Sequence, residues 1–124
     1  MYNAIRFLYP AAIPNEDFRL ECHDGITTEI AFWNSSKLGS QPSRAQIDAA
    51  MPLAIAALIM SAIRAERDRR LAATDFQMMP DYPAAKKPAG LDAYRQALRD
   101  FPAAVDAATL SWPPDVAALN WPMP

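Results

Sequence analysis

Along the chain the apolar and polar positions change period several times, and each change marks an element. Residues 2–8 (Tyr-Asn-Ala-Ile-Arg-Phe-Leu) alternate loosely before Pro10 and Pro14, which predicts a short strand and then an irregular turn. Residues 17–22 alternate cleanly and place Phe18, Leu20 and Cys22 on one face. His23-Asp24-Gly25 follows, and Asp-Gly suits the positive φ angles of a tight hairpin turn. Residues 27–33 are β-branched and aromatic and complete the hairpin. The pattern predicts a small antiparallel sheet of two or three strands. Such a sheet is marginal alone and needs a helix against its apolar face.

Asn34 to Pro42 reads as a polar loop, and Ser43-Arg-Ala-Gln46 has the spacing of a capping box at a helix start. Pro52 then falls about two turns in, where it removes a hydrogen bond and clashes with the preceding turn. Either the helix kinks there, or one helix ends near Ala50 and another starts with Pro52 in its first turn. The second arrangement suits proline better. From Leu53 to Ile63 every residue but Ser61 is apolar. A helix on one small sheet buries a single stripe, so the surplus predicts a second contact, with a partner or with another copy of the chain. The run itself is too short for a membrane span, which takes roughly 20 residues.

The same helix turns charged from Arg64 to Arg70, with Arg64–Asp68 and Glu66–Arg70 at i,i+4 spacing, and closes at Leu71–Asp75. Phe76 to Pro88 is a linker interrupted by three prolines. Gly90 to Phe101 is a second helix with Leu91, Tyr94 and Leu98 on one face, ended by Pro102. The tail carries Trp112-Pro113-Pro114 and Trp121-Pro122-Met123-Pro124. The fold class expected is α+β: a small N-terminal antiparallel sheet packed with a long helix, a second shorter helix and an extended proline-rich C-terminal arm. The division expected is 1–79 for the hairpin and long helix, and 80–124 for linker, short helix (about 90–101) and arm.

Charge narrows the function. The 12 basic residues face 14 acidic ones, a formal net charge of -2, whereas nucleic-acid binders draw most of their affinity from a basic excess. The single cysteine and an N-terminus without a secretion-type apolar stretch predict a reducing cytoplasm, with neither nucleic acid nor membrane as partner. The 12 prolines against 3 glycines predict extended connections, suited to lying along a partner.

Catalytic groupings are scarce. Glu21-Cys22-His23-Asp24 looks metal-like, but neighbouring strand residues point to opposite faces, which predicts a buried cysteine beside an exposed turn histidine. Glycines at 25, 39 and 90 cannot compose a nucleotide-binding loop. Arg64, Arg67, Arg69 and Arg70 are interleaved with acids and read as a solvated helix end. No enzyme, metal or cofactor is predicted. The surface expected to bind is apolar: Leu53, Ile55, Leu58, Ile59 and Ile63 on the long helix, with Trp112 and Trp121 in the arm. Both tryptophans can equally cover the chain's own sheet and helix.

Two stretches resemble phage proteins. Ile5-Arg-Phe-Leu-Tyr-Pro-Ala-Ala-Ile-Pro-Asn-Glu-Asp-Phe18, then Ala31-Phe-Trp-Asn34 and Gln41-Pro-Ser43, is similar to the N-terminal part of small phage and prophage tail-region proteins. Arg67-Asp-Arg-Arg-Leu-Ala-Ala-Thr-Asp75-Phe76, then Tyr94-Arg-Gln-Ala-Leu-Arg-Asp-Phe-Pro102 and a closing Trp-Pro, resembles the phage tail assembly chaperone family. This chain has Phe76 where that family usually carries tryptophan, and its second Trp-Pro is extra. The resemblance implies a non-enzymatic protein that acts in the bacterial host cytoplasm and binds a tail or tail-fibre polypeptide. It adds Arg67, Phe76 and Tyr94 to the expected contact residues. A structural subunit retained at the fibre or tail tip is the alternative.

Overall fold

Helix α1 (Tyr2–Leu8) occupies the segment for which the alternation predicts a strand. The reason is burial: Ala4 and Ile5 are both fully buried, Ala4 against Ile47 and Ala50, Ile5 against Ala12 and Phe18. A strand would send these neighbours to opposite faces, whereas one helical face holds both. The Arg6 guanidinium then donates to the carbonyls of Pro10 and Ala12 and shapes the turn that follows. The computed structural model describes all residues from Met1 to Pro124.

Strands β1 (Phe18–Cys22) and β2 (Thr28–Trp33) form the expected hairpin as a two-stranded antiparallel sheet. Pairing runs from Phe18↔Trp33 to Cys22↔Thr28, with an irregularity at Arg19/Leu20 that leaves Ala31 extra. The connection, His23–Thr27, is longer than an Asp-Gly two-residue turn. Asp24 closes it by accepting the backbone N–H groups of Ile26 (2.8 Å) and Thr27 (2.5 Å), and Gly25 alone takes a positive φ there. These bonds hold the Asp24 carboxyl at about 2, below the usual carboxylate range. Cys22 is exposed, not buried as the alternation implied, because the hairpin's far end extends past the core.

Within the expected polar loop lies a short helix, α2 (Ser35–Leu38), capped by the Asn34 side chain on the Lys37 N–H. Beside it Asp17 is buried and fully used: it accepts from Lys37 Nζ (2.6 Å) and the Ile13 N–H (2.8 Å), which together pull its pKa down. Trp33 sits edge-on to Tyr9, 4.9 Å between centroids, and donates its indole N–H to Gly39.

Helix α3 (Arg44–Ala72) begins with the expected capping box: Gln46 N–H donates to Ser43 Oγ at 3.2 Å and Ser43 N–H to Gln46 Oε1 at 2.8 Å. It runs unbroken through Pro52, against the expectation of a break near Ala50. Pro52 and Asp48, the residue whose carbonyl loses its helical partner, both lie on the exposed side of α3. Continuity also changes the reading of Leu53–Ile63 as too short to cross a bilayer. The whole helix is long and apolar enough by length and composition, with 28% of its most apolar 18-residue stretch buried. Ala54, Ile59 and Ile63 are its buried positions past Pro52.

Helix α4 (Leu91–Ala104) extends two residues beyond Pro102, which lies buried inside it, instead of stopping there. The chain forms two compact units, Met1–Ala56 and Ala57–Pro124, and α3 contributes to each. Past Ala104 the tail makes single helical turns at Ala107–Thr109 and Val116–Ala118. It then returns to α4, so an extended arm is not what is observed.

Candidate functional site

In the first unit the end of α1 and the start of α3 leave an open apolar groove of about 320 Å³, walled by Phe7, Leu8, Pro42, Ala49 and Leu53. The i,i+4 spacing of Ala49 and Leu53 puts both on one side of α3. Leu53 is 58% exposed, high for a leucine in the middle of a helix. Phe7 and Leu8 were not singled out in the sequence, because a strand reading hides their shared helical face.

The second unit is organised by charge. Glu66 accepts from Arg69 at 2.6 Å and from Arg70 at 2.9 Å, and these guanidinium groups, Arg69 first, hold its carboxyl at about 2. Glu66 in turn raises Arg69. The predicted Glu66–Arg70 pair is therefore present, while Asp68 pairs with Arg67 (2.8 Å) in place of Arg64. Arg70 lies over the Trp121 ring, 4.8 Å from its centroid, and Trp121 stacks on Phe101 at 4.2 Å. The indole N–H donates to the Val116 carbonyl at 2.8 Å, and Trp121 is only 6% exposed.

Arg95 is the residue the sequence reading missed. It is buried on α4 and donates to the Leu71 carbonyl (2.8 Å), Thr74 Oγ1 (2.5 Å) and Asp75 Oδ1 (2.8 Å). It thus closes the C-terminal end of α3, where unpaired carbonyls and the helix dipole favour a cation. The signal was available: Arg95 stands four residues after Leu91 and three before Leu98, inside the apolar stripe. The turn it grips, Asp75–Met78, exposes Phe76 (58%) with Met78 and Met79 beside it. Phe76 meets Tyr82 edge-on at 5.7 Å.

The other predicted contact residues fall in different settings. Leu58 is exposed and Ile55 half-buried, whereas Ile59 and Ile63 are fully buried and offer no surface as the chain stands. Arg67 is half-buried and occupied by Asp68. Tyr94 is half-buried and lines a cleft at the α3–α4 junction, and Trp112 is 48% exposed. In the hairpin, His23 lies 3.5 Å from Glu21, and Cys22 Sγ is 3.8 Å from Asp24. No three His, Cys, Asp or Glu side chains converge as a metal site would require.

Leu53, Leu58 and Phe76 are thus apolar side chains exposed on braced elements. Residues 60–124 match the family model described as phage tail assembly chaperone protein, and residues 1–57 match the one described as XkdW protein. The first match covers just over half of the chain, which belongs to the phage tail assembly chaperone protein family. No curated protein and no solved structure matches it. The family places the chain's action in the host cell during phage assembly, with a tail-related protein as partner and a role in tail assembly. Arg95 joins the two strings that carry the resemblance, Ala73-Thr74-Asp75 and Tyr94–Asp100, by hydrogen bonds.

Proposed function

We propose that this protein binds a segment of a tail or tail-fibre polypeptide, shields its apolar surface until assembly, and is then released in the host cytoplasm. The observation that carries this reading is exposed apolar area on α3 and on the adjoining turn, Leu53, Leu58 and Phe76, in a chain of the chaperone family. A monomer gains nothing from a large apolar side chain in water, and a partner that covers it contributes about 25 cal/mol per Å². The occupant is polypeptide and not nucleic acid, since a net charge of -2 supplies no phosphate attraction.

The test is quantitative mass spectrometry of purified virions beside affinity capture from infected lysate. Absence from virions, with one tail or fibre protein recovered in the lysate complex, is the result expected. Presence in virions at the copy number of a tail protein would make the chain a retained structural subunit and end the chaperone reading.

A further inference from the structure

The last residues of the second unit form a strap whose seat has more room than the strap uses. Trp121 is the anchor: Phe101 stacks on one side of it, the Arg70 guanidinium covers it, and the Val116 carbonyl takes its N–H. Arg70 is itself held in place by Glu66. These features together favour an indole, since a smaller ring would lose stacking area and phenylalanine would lose the 2.8 Å bond to the Val116 carbonyl. Beyond the anchor the hold weakens. The strap's backbone hydrogen bonds are local, Leu119 N–H to Val116 and Trp121 N–H to Leu119, and none reaches α3 or α4. Pro122 and Pro124 have no N–H to give, and Met123 is 81% exposed. Pro124 touches the rim of a cleft of about 320 Å³ lined by Arg69, Gln77, Pro88, Leu91 and Tyr94. That cleft stays open beside it.

We propose that the α3–α4 seat is a receptor for an extended tryptophan-proline segment of the tail polypeptide, and that Trp121–Pro124 occupies it in cis as an autoinhibitory strap. The inference rests on the chain binding a tail polypeptide, and it names the chemistry of the segment bound. The strap shows which chemistry fits: indole first, then a proline-bearing extended run, which needs no backbone partners and loses little entropy on docking. A longer segment of the same kind continues into the open cleft where the strap stops. A tethered strap competes at an effective concentration of order mM, so a free segment engages only when its added contacts outweigh that tether.

The probe is a synthetic peptide of residues 119–124, Leu-Asn-Trp-Pro-Met-Pro, with neutral ends, titrated into the full chain. Trp121→Ala, checked for wild-type circular dichroism, is expected to bind it at least ~10-fold more tightly than wild type does. The same peptide with alanine for tryptophan is expected not to bind. A second measurement needs no variant: with 5-fluorotryptophan in the wild-type chain, excess peptide should move the Trp121 fluorine signal toward a solvent-exposed position and leave that of Trp112 in place. No binding to the folded variant, equal binding to both proteins, or an unmoved Trp121 signal at saturating peptide overturns the proposal. If Trp121→Ala dimerises in sedimentation and Trp112→Ala reverses this, the occupant is a second copy of the chain and the tail-segment reading falls. All these readouts use purified protein, so their failure leaves the virion and lysate test of the assembly role standing.

Discussion

Two residues carry the second unit's electrostatics, and each makes a prediction. The Glu66 carboxyl, held at about 2 by Arg69 and then Arg70, has a folded pKa below its ordinary 4.5. Its contribution is therefore fully present above about 4.5 and is lost as pH falls toward about 2. Melting temperatures measured from pH 7 to pH 2 should show wild type and Glu66→Gln furthest apart at neutral pH and converging in acid. Asp24 and Asp17 are lowered too, so the variant keeps part of the acid sensitivity. Arg95 acts through geometry. Arg95→Met removes the charged bonds to the Leu71 carbonyl and Thr74 Oγ1, which keep only each other and the Thr74 N–H, a loss of ~1.5–3 kcal/mol in urea unfolding, the range for hydrogen bonds to a charged group. Asp75→Asn should cost under about 1 kcal/mol, because the Asp75 side chain is 62% exposed and its pairing is screened. Arg95→Lys should not rescue, since an ammonium cannot present the fork that reaches three acceptors. Restoration of stability by lysine would reduce the site to simple charge pairing.

At the scale of elements, Pro52 is the clearest test. An interior proline costs a helix roughly 3 kcal/mol, partly offset by the rigidity it gives the unfolded chain. Pro52→Ala should therefore raise stability by ~1–3 kcal/mol in denaturant melts, the proline being exposed and its removal clash-free. A drop would mean that the chain has adapted its packing to the proline. What was legible in the sequence follows from whether the deciding interaction was local. The hairpin strands and the Ser43–Gln46 capping box depend on neighbours a few residues away, and both appear as expected. Residues 2–8 do not, because α1 is decided by Ala4 meeting Ile47 and Ala50 across the fold. Pro52 and Pro102 misled for a different reason: whether a helix tolerates proline depends on which carbonyl is orphaned and where it faces, which only the folded chain reveals. The return of the tail to α4 was similarly open, since Trp121 has no local reason to prefer Phe101 over solvent or a partner.

For the whole molecule, the two family matches end at residue 57 and begin at residue 60, within a turn of the Ala56/Ala57 division between compact units. Sequence kinship and physical compactness thus part at the same place in α3. Each side carries its own exposed apolar residue, Leu53 in the first unit and Phe76 in the second. Their roles can be separated by surface substitutions that leave the core alone. Leu53→Asp replaces an exposed side chain and should change stability by no more than about 0.5 kcal/mol. Phe76→Ser also removes the edge contact with Tyr82 and should cost ~0.5–1.5 kcal/mol. The measurement is infectious titre when each variant complements a phage lacking the gene, with soluble protein quantified alongside. If both surfaces grip one tail polypeptide, each single change lowers titre, and the double variant loses far more than either, because one weakened grip still holds the partner near the other. If Leu53→Asp alone abolishes titre while Phe76→Ser leaves it at wild type, recognition belongs to the first unit, and the exposed turn gripped by Arg95 takes no part in it. The opposite result would place recognition on the side that carries the chaperone-family match.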